Sequence, residues 1–307
     1  MQVLALVGPT AVGKTAAAVA LARLLPATGL EVVNADAMQM YRGMDIGTAK
    51  VDAATRAGVP HHLLDMWDVT HRASVVEFRD AARAAVAAIA ERGPLPVVVG
   101  GSGLYLTTAL DDLQVPPTDP QVRARYEAEL VLRGPQSLHA DLAARDPRAA
   151  AAIDPRNGRR IVRALEVVQL QGWFTASLPR GERSWVPTLW IGLRAPMPVL
   201  DAVIGARVDA MWEQGLVDEV AGLAERGLRD GPTAGSAVGY AECLAYLDGR
   251  ISREEAMERT ARRTRQLARR QVRWFARDNR IRWIDVSSRA ATGVAEQIAA
   301  ALSPQAG

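Results

Sequence analysis

The chain opens on a strand-like segment, Gln2 to Val7, whose heart (Val3-Leu4-Ala5-Leu6-Val7) is apolar at every position. A short run with no polar alternation predicts a strand buried on both faces, as in a parallel sheet. It passes through a glycine-containing turn into Lys14 to Leu25, an Ala/Leu-rich stretch that predicts a helix. The alternation then repeats. Glu31 to Asn34 predicts a second strand, Val75 to Glu91 a helix that Gly93-Pro94 terminates, and Leu95 to Val99 a third strand running into Gly100-Gly101-Ser102-Gly103. Strands and helices in that order call for an α/β fold: a parallel sheet flanked by helices, with right-handed crossovers.

From Pro116-Pro117 to about Trp185 the pattern changes, because helical stretches continue but no strand is evident. Helices are expected over Gln121 to Arg133, Ser137 to Ala144 and Arg159 to Gln171, punctuated by Asp154-Pro155 and Gly172. This predicts a helical insertion domain at 116–185 within a core made of 1–115 and 186–307. Strand character returns at Thr188 to Arg194, followed by helices over Val199 to Gln214, Val217 to Arg226, Tyr240 to Leu247 and Ser252 to about Arg277. A last strand, Arg282 to Asp285, and an Ala-rich helix close the chain, and only the final few residues are expected to be disordered.

Composition narrows the class. With 307 residues, 49% of them hydrophobic, the chain can bury a substantial core. No apolar run approaches the ~20 residues of a membrane span, and the chain enters its first strand without a basic-then-apolar leader, so a cytoplasmic protein is expected. The lone Cys243 leaves no internal disulfide and no multi-cysteine zinc module.

The net charge of +3 hides an uneven make-up: of 37 basic residues only Lys14 and Lys50 are lysines. Arginine abundance alongside alanine reads as a compositional bias, so most arginines call for no special role. The segment Arg253 to Arg282 differs, with 11 arginines against Glu254, Glu255, Glu258 and Asp278, a local net of +7, and with Trp274 and Phe275 among them. Such a stripe suits a phosphate backbone, though a solvated arginine-rich helix accounts for it equally well.

Candidate chemistry centres on Gly8-Pro9-Thr10-Ala11-Val12-Gly13-Lys14-Thr15, which fits G-x-x-x-x-G-K-[ST] between a strand and a helix. The glycines let successive amides turn inward around a polyanion. Lys14 can reach the terminal phosphates, and the Thr15 hydroxyl can ligate Mg²⁺. Asp36 follows the second strand, where carboxyl ends of an open sheet line the ligand crevice. A helix N-cap is the competing account of that aspartate. His61 and His62 are adjacent and lack ligand spacing, which favours packing and hydrogen bonding over a metal site.

Taken together, the motifs resemble the tRNA dimethylallyltransferase (tRNA isopentenyltransferase) family in its bacterial form. The likeness runs through GPTAVGKT, MYRGMDIGTAK, PHHLLD, VVVGGSGLYL, RRIVRALEV, the VGY at Val238 to Tyr240, and TRQLARRQVRWF, nearly the whole chain. MDIGTAK and TRQLARRQ discriminate best, because other phosphate-loop families lack them. The resemblance implies a P-loop NTPase-like core and transfer of a dimethylallyl group from its diphosphate to N6 of the adenine 3′ to a tRNA anticodon. It implies no ATP hydrolysis. Gly8 to Thr15 and Arg207 would hold the diphosphate with Mg²⁺, Asp36 would act as general base, and Lys14 and Ser102 would complete the catalytic set.

By the same resemblance tRNA contacts are expected at Asp36, Ala37, Met38, Gln39, Ser102, Arg123, Arg159, Arg160, Arg163, Arg269, Arg270, Gln271 and Arg273. Three positions depart from the family's pattern: Ala37 replaces a serine, Arg159 a glutamine, and Ala241 a basic residue. A monomer with no membrane partner is expected. Two other enzymes would share parts of this set: a small-molecule P-loop kinase, and a prenyltransferase of free adenine nucleotides. The kinase leaves the helical insertion and arginine-rich helix without a role, and the free-nucleotide enzyme would not need the basic stripe. A non-enzymatic RNA-binding protein leaves Asp36 and the phosphate loop unexplained.

Overall fold

The computed structural model describes residues 2–26, 29–175 and 183–302, so the tail expected to be disordered, 303–307, lies outside the described residues. Contacts divide the chain into two compact units, Met1–Asp112 with Arg183–Gly307, and Leu113–Glu182.

The first unit is built on six parallel strands: β1 (Val3–Val7), β2 (Leu30–Asn34), β3 (His61–His62), β4 (Leu95–Gly100), β5 (Thr188–Arg194) and β6 (Arg282–Asp285). Their order is β3-β2-β4-β1-β5-β6, every neighbouring pair parallel. The chain therefore crosses from β1 to one side first and to the other later. The crevice at the carboxyl end of β1 is the switch point where such sheets bind ligands.

Every residue of β1 is buried because the sheet is covered on both faces. Val3, Ala5 and Val7 pack on one face with Phe78, Leu106 and Trp212, while Leu4 and Leu6 pack on the other with Ala17, Leu21 and Ile298. The first face is covered in part by α3 (Val75–Arg92) and α4 (Gly103–Leu110), the second by α1 (Lys14–Leu24) and the C-terminal helix Ala291–Leu302.

Two elements carry no periodic signal. β3 has two residues, too short to alternate, and pairs with Val32 and Val33. In α4, GLYLTTAL is buried at five of eight positions, so it shows no polar face. The histidines of β3 are engaged as packing and hydrogen-bonding groups: His61 Nδ1 lies 2.9 Å from the Val59 carbonyl and His62 Nε2 lies 2.6 Å from Glu31 Oε2.

The second unit holds α5 (Pro120–Arg145), the short α6 (Pro147–Ala151) and α7 (Gly158–Gln171). Gly134, at φ 76° and ψ 165°, and Pro135 break α5 into two helical pieces, the division the sequence predicts. Asp119, Asp146 and Asn157 cap the three helices with side-chain acceptors. Tyr126, Leu138, Leu142, Ile161 and Leu165 form a separate core.

The remaining α-helices belong to the first unit: the one-turn α2 (Ala53–Arg56), α8 (Met197–Glu213), α9 (Leu216–Glu225), α10 (Tyr240–Leu247), α11 (Arg253–Phe275) and α12 (Ala291–Leu302). α11 is amphipathic in an unusual sense. Its buried stripe is Ala256, Thr260, Ala261, Ala268, Gln271 and Phe275, mostly small residues, with arginines over the rest of its surface.

Candidate active site

Three loops converge at the carboxyl ends of β1, β2 and β4, and their glycines show how closely. A Cβ on Gly8 would stand 2.5 Å from the Leu193 carbonyl oxygen, and one on Gly100 the same distance from the Ala35 oxygen. One on Gly101 would meet the Gln271 amide at 2.5 Å and the Gly8 oxygen at 3.3 Å. Backbone therefore lies against backbone around the phosphate loop, leaving no room for side chains.

Gly8 (φ +148°) and Gly13 (φ +90°) supply the backbone turns, and Ala11 holds φ at +66°, a strained region for a residue with a side chain. Lys14 Nζ folds back onto the loop and donates to the carbonyls of Gly8 (3.0 Å) and Pro9 (2.8 Å). Burial pushes its pKa down from 10.5 to about 8. The Asp36 carboxylate opposes that shift and the Arg207 guanidinium adds to it. Arg207, on α8, makes no hydrogen bond or ion pair among the described residues, and burial lowers its pKa as well. Lys14 at the positive end of α1 thus feels the second cation Arg207, with Asp36 the acidic group that acts against it on Lys14.

The N-cap account of Asp36 does not hold, because residues 37–40 form a turn and no helix starts there. Its Oδ1 accepts from the Met38 N–H at 2.9 Å. Asn34 brackets it, accepting from the Asp36 N–H at 3.0 Å and donating to its carbonyl at 3.1 Å. The carboxylate is therefore oriented from its own backbone. Beside it the Tyr105 hydroxyl is pushed up to about 12, by burial first and by Tyr41 and Asp36 after that. Tyr105 packs on Phe78 with ring centroids 4.6 Å apart. Sequence reasoning did not single it out, although it lies within VVVGGSGLYL.

Ser102 stands at the N-cap of α4, yet its side chain makes no capping bond, and its hydroxyl makes no hydrogen bond among the described residues. The Thr15 hydroxyl, in the first turn of α1, makes no hydrogen bond among the described residues. No three His, Cys, Asp or Glu side chains among the described residues are grouped to cage a metal.

The expected RNA-contacting residues divide into several environments. Arg270 and Arg273 are exposed on α11 and carry no ion pair among the described residues, and the same holds for Arg277 one turn on. Their neighbours are occupied. Arg269 pairs with Asp201 at 2.6 Å, and Gln271 is buried, its Oε1 accepting from the Thr10 N–H at 2.8 Å. Near Asp36, Ala37 and Met38 are partly exposed, while Gln39 turns its amide onto the carbonyls of Thr48 (3.2 Å) and Ala49 (3.5 Å).

In the second unit Arg159 and Arg160 are exposed in the first turn of α7. Arg123 and Arg163 instead share the fully buried Glu166, at 2.6 and 2.8 Å, whose other oxygen accepts from Thr118 Oγ1 and the Asp119 N–H. A carboxylate at 0% exposure needs those partners, so these two arginines hold the helical unit together.

A parallel sheet with opposed crossovers, a glycine-rich loop, an invading lysine and the N-terminus of α1 define a phosphate-loop α/β protein. The family model described as IPP transferase matches residues 39–278, and the chain belongs to that family. It is 57% identical over 285 residues to a tRNA dimethylallyltransferase of Thermobifida fusca, covering 92% of this chain and 89% of that one. It is 58% identical over 289 residues to one of Kineococcus radiotolerans, with 92% and 90% covered. Among solved structures, the full-length tRNA isopentenylpyrophosphate transferase of Bacillus halodurans superposes with a TM-score of 0.71 at 41% identity, covering 97% of this chain and 96% of that one. A eukaryotic dimethylallyltransferase acting on tRNA gives a TM-score of 0.74 at 27% identity, with 94% and 74% covered.

Proposed function

We propose that the chain transfers the dimethylallyl group of dimethylallyl diphosphate to N6 of the adenine 3′-adjacent to a tRNA anticodon, releasing diphosphate. The observation that carries this reading is the Lys14, Arg207 and Asp36 constellation: two cations without a full counter-charge and one oriented carboxylate. A polyanion completes the charge balance. The carboxylate serves a proton transfer at the opposite end of the reacting group.

In this mechanism the N6–C bond forms as the allylic C–O bond breaks. The leaving diphosphate gains negative charge, which Lys14, Arg207 and the inward amides of the loop stabilise. The N6 proton goes to the free oxygen of Asp36, since Oδ1 already accepts from Met38. Ser102 holds the adenine side of the site, with Ala37, Met38 and Gln39 forming the wall around the extruded base. Arg270, Arg273, Arg159 and Arg160 meet the tRNA backbone. The helical unit serves the anticodon arm.

The free Thr15 hydroxyl and the lack of an all-protein metal cage among the described residues fit Mg²⁺, which keeps its waters and binds chiefly through substrate phosphates. Bound there, Mg²⁺ would neutralise charge on the leaving diphosphate. Among the described residues no helix is long and apolar enough to cross a membrane. The proposed setting is a cytoplasmic monomer.

Incubation with unmodified tRNA, AMP, ATP and dimethylallyl diphosphate, followed by mass spectrometry of the adenosines, tests the reading. Prenylated adenosine in tRNA alone, with ATP intact, is expected. Product on AMP alone, or phosphoryl transfer from ATP, overturns it. Asp36→Asn should lower kcat about 10²- to 10⁴-fold while tRNA still binds. A normal kcat removes Asp36 from the base role.

A further inference from the structure

Glu219 has no part in the chemistry above, yet its carboxylate collects four hydrogen bonds from the MDIGTAK loop and VGY. Oε2 accepts from the backbone N–H groups of Asp45 (3.1 Å) and Ile46 (2.7 Å). Oε1 accepts from the Gly47 N–H (3.3 Å) and the Tyr240 hydroxyl (2.6 Å). Three successive amides aimed at one point make an anion-binding nest, and here the anion is a side chain of the protein itself. Gly47 permits this because a Cβ there would stand 2.5 Å from the Tyr240 ring.

The loop so gripped supports the segment next to Asp36. Gln39 donates to the carbonyls of Thr48 and Ala49. Lys50, its side chain 3% exposed, bridges the Tyr41 carbonyl (2.8 Å), Asp45 (2.7 Å) and Asp65 (2.6 Å). From Glu219 the contacts run through 45–50 to Gln39 and Tyr41, within five residues of the proposed base.

We infer that Glu219, with Tyr240, is a positioning residue for the reaction: its carboxylate fixes the 45–50 loop, and through it the stretch that presents Asp36 and Gln39 to the adenine. The inference rests on the proposed transfer reaction. It predicts a defect in the acceptor half of the site and none in the diphosphate half, which belongs to Lys14 and Arg207. An amide could not serve, because its NH2 would face an N–H or O–H donor.

The test compares Glu219→Gln and Tyr240→Phe with the unaltered full-length protein. Glu219→Gln should lower kcat for tRNA prenylation about 10- to 100-fold, the cost of misplacing a reacting group by about 1 Å. Inorganic diphosphate affinity should stay within about twofold, the spread expected where no partner is shared. In an Asp36→Asn background the same change should cost little further, as residues acting as one unit are non-additive. Tyr240→Phe keeps the carboxylate and should show a smaller loss with the same non-additivity, which preserves the test if Glu219→Gln folds poorly.

Hydrogen exchange gives a readout independent of turnover: amides 45–47 and 37–39 should exchange faster in Glu219→Gln, with the phosphate-loop amides unchanged. Unchanged kcat, a parallel loss of diphosphate affinity, or equal cost in both backgrounds overturns the inference. If the unaltered protein fails to prenylate tRNA, the transfer reading fails alone, and exchange at 37–39 still decides whether Glu219 positions that segment.

Discussion

Lys14 offers the sharpest quantitative test, because the folded protein holds its amine in a state that favours losing a proton. The fall from 10.5 to about 8 disfavours the folded ammonium form by about 3 kcal/mol at ~1.4 kcal/mol per pKa unit. That is an upper bound, since the Gly8 and Pro9 carbonyls at 3.0 and 2.8 Å support the ammonium. With the folded pKa below the unfolded one, the unfolded chain binds more protons in between, so this destabilisation is complete below about pH 8 and fades as pH rises toward 10.5. A bound diphosphate places negative charge beside Lys14 and restores the proton. Above about pH 8 binding should therefore take up close to one proton, and dimethylallyl diphosphate affinity should fall by up to about tenfold per pH unit.

Calorimetric titration of dimethylallyl diphosphate in buffers of differing ionisation enthalpy measures both quantities. Lys14→Met should abolish the uptake and weaken donor binding, while melting at a higher temperature than the unaltered protein at neutral pH, a trade between stability and function. Flat affinity from about pH 7 to 9 with no proton uptake would refute the placement of a perturbed Lys14 against the diphosphate.

The surface of α11 and the interior of the helical unit make opposite predictions for arginines alike in sequence. Replacing Arg270, Arg273 or Arg277 by alanine should weaken tRNA binding uniformly across sequences and reduce the salt slope by about 1 each, with thermal stability unchanged, as read by filter binding at several salt concentrations. Arg123→Ala should instead cost about 1.5–3 kcal/mol of stability in urea unfolding, because the buried Glu166 loses one of its two arginines and keeps only Arg163. An Arg123→Ala protein of normal stability with a reduced salt slope would return that residue to the RNA-binding set.

This division shows what the sequence could and could not reveal. β1, β4 and β5 were legible because they are apolar at most positions, β2 and β6 through the apolar pairs Val32-Val33 and Trp283-Ile284, and the break in α5 because glycine and proline stand together at 134 and 135. The edge strand β3 and the helix α4 were not, since two residues cannot alternate and α4 carries an apolar residue, Leu104, even where it is exposed. The phosphate loop was legible because its backbone geometry demands particular residues at fixed spacing. Arginine partners were beyond reach. Whether Arg269 binds RNA or Asp201 depends on a residue 68 positions away, and Glu166 reaches Arg123 across 43.

Helical phase accounts for the remaining difference, and it changes how the phosphate loop itself is understood. Gln271 lies between Arg270 and Arg273 in sequence, but the step of about 100° per residue turns it to the buried stripe of α11 while both arginines face solvent. There it accepts the Thr10 N–H, an amide that a motif-based reading would aim at the ligand. Trp274, three residues on, lies where a Cβ on Gly103 would collide with its indole, so the same helix also bears on the Ser102 turn. The phosphate loop is thus closed by a side chain of the arginine-rich helix, so the proposed diphosphate and RNA surfaces share one element. A substitution at Gln271 should consequently register first in donor affinity, while Arg270 and Arg273 on either side of it should register in RNA affinity alone.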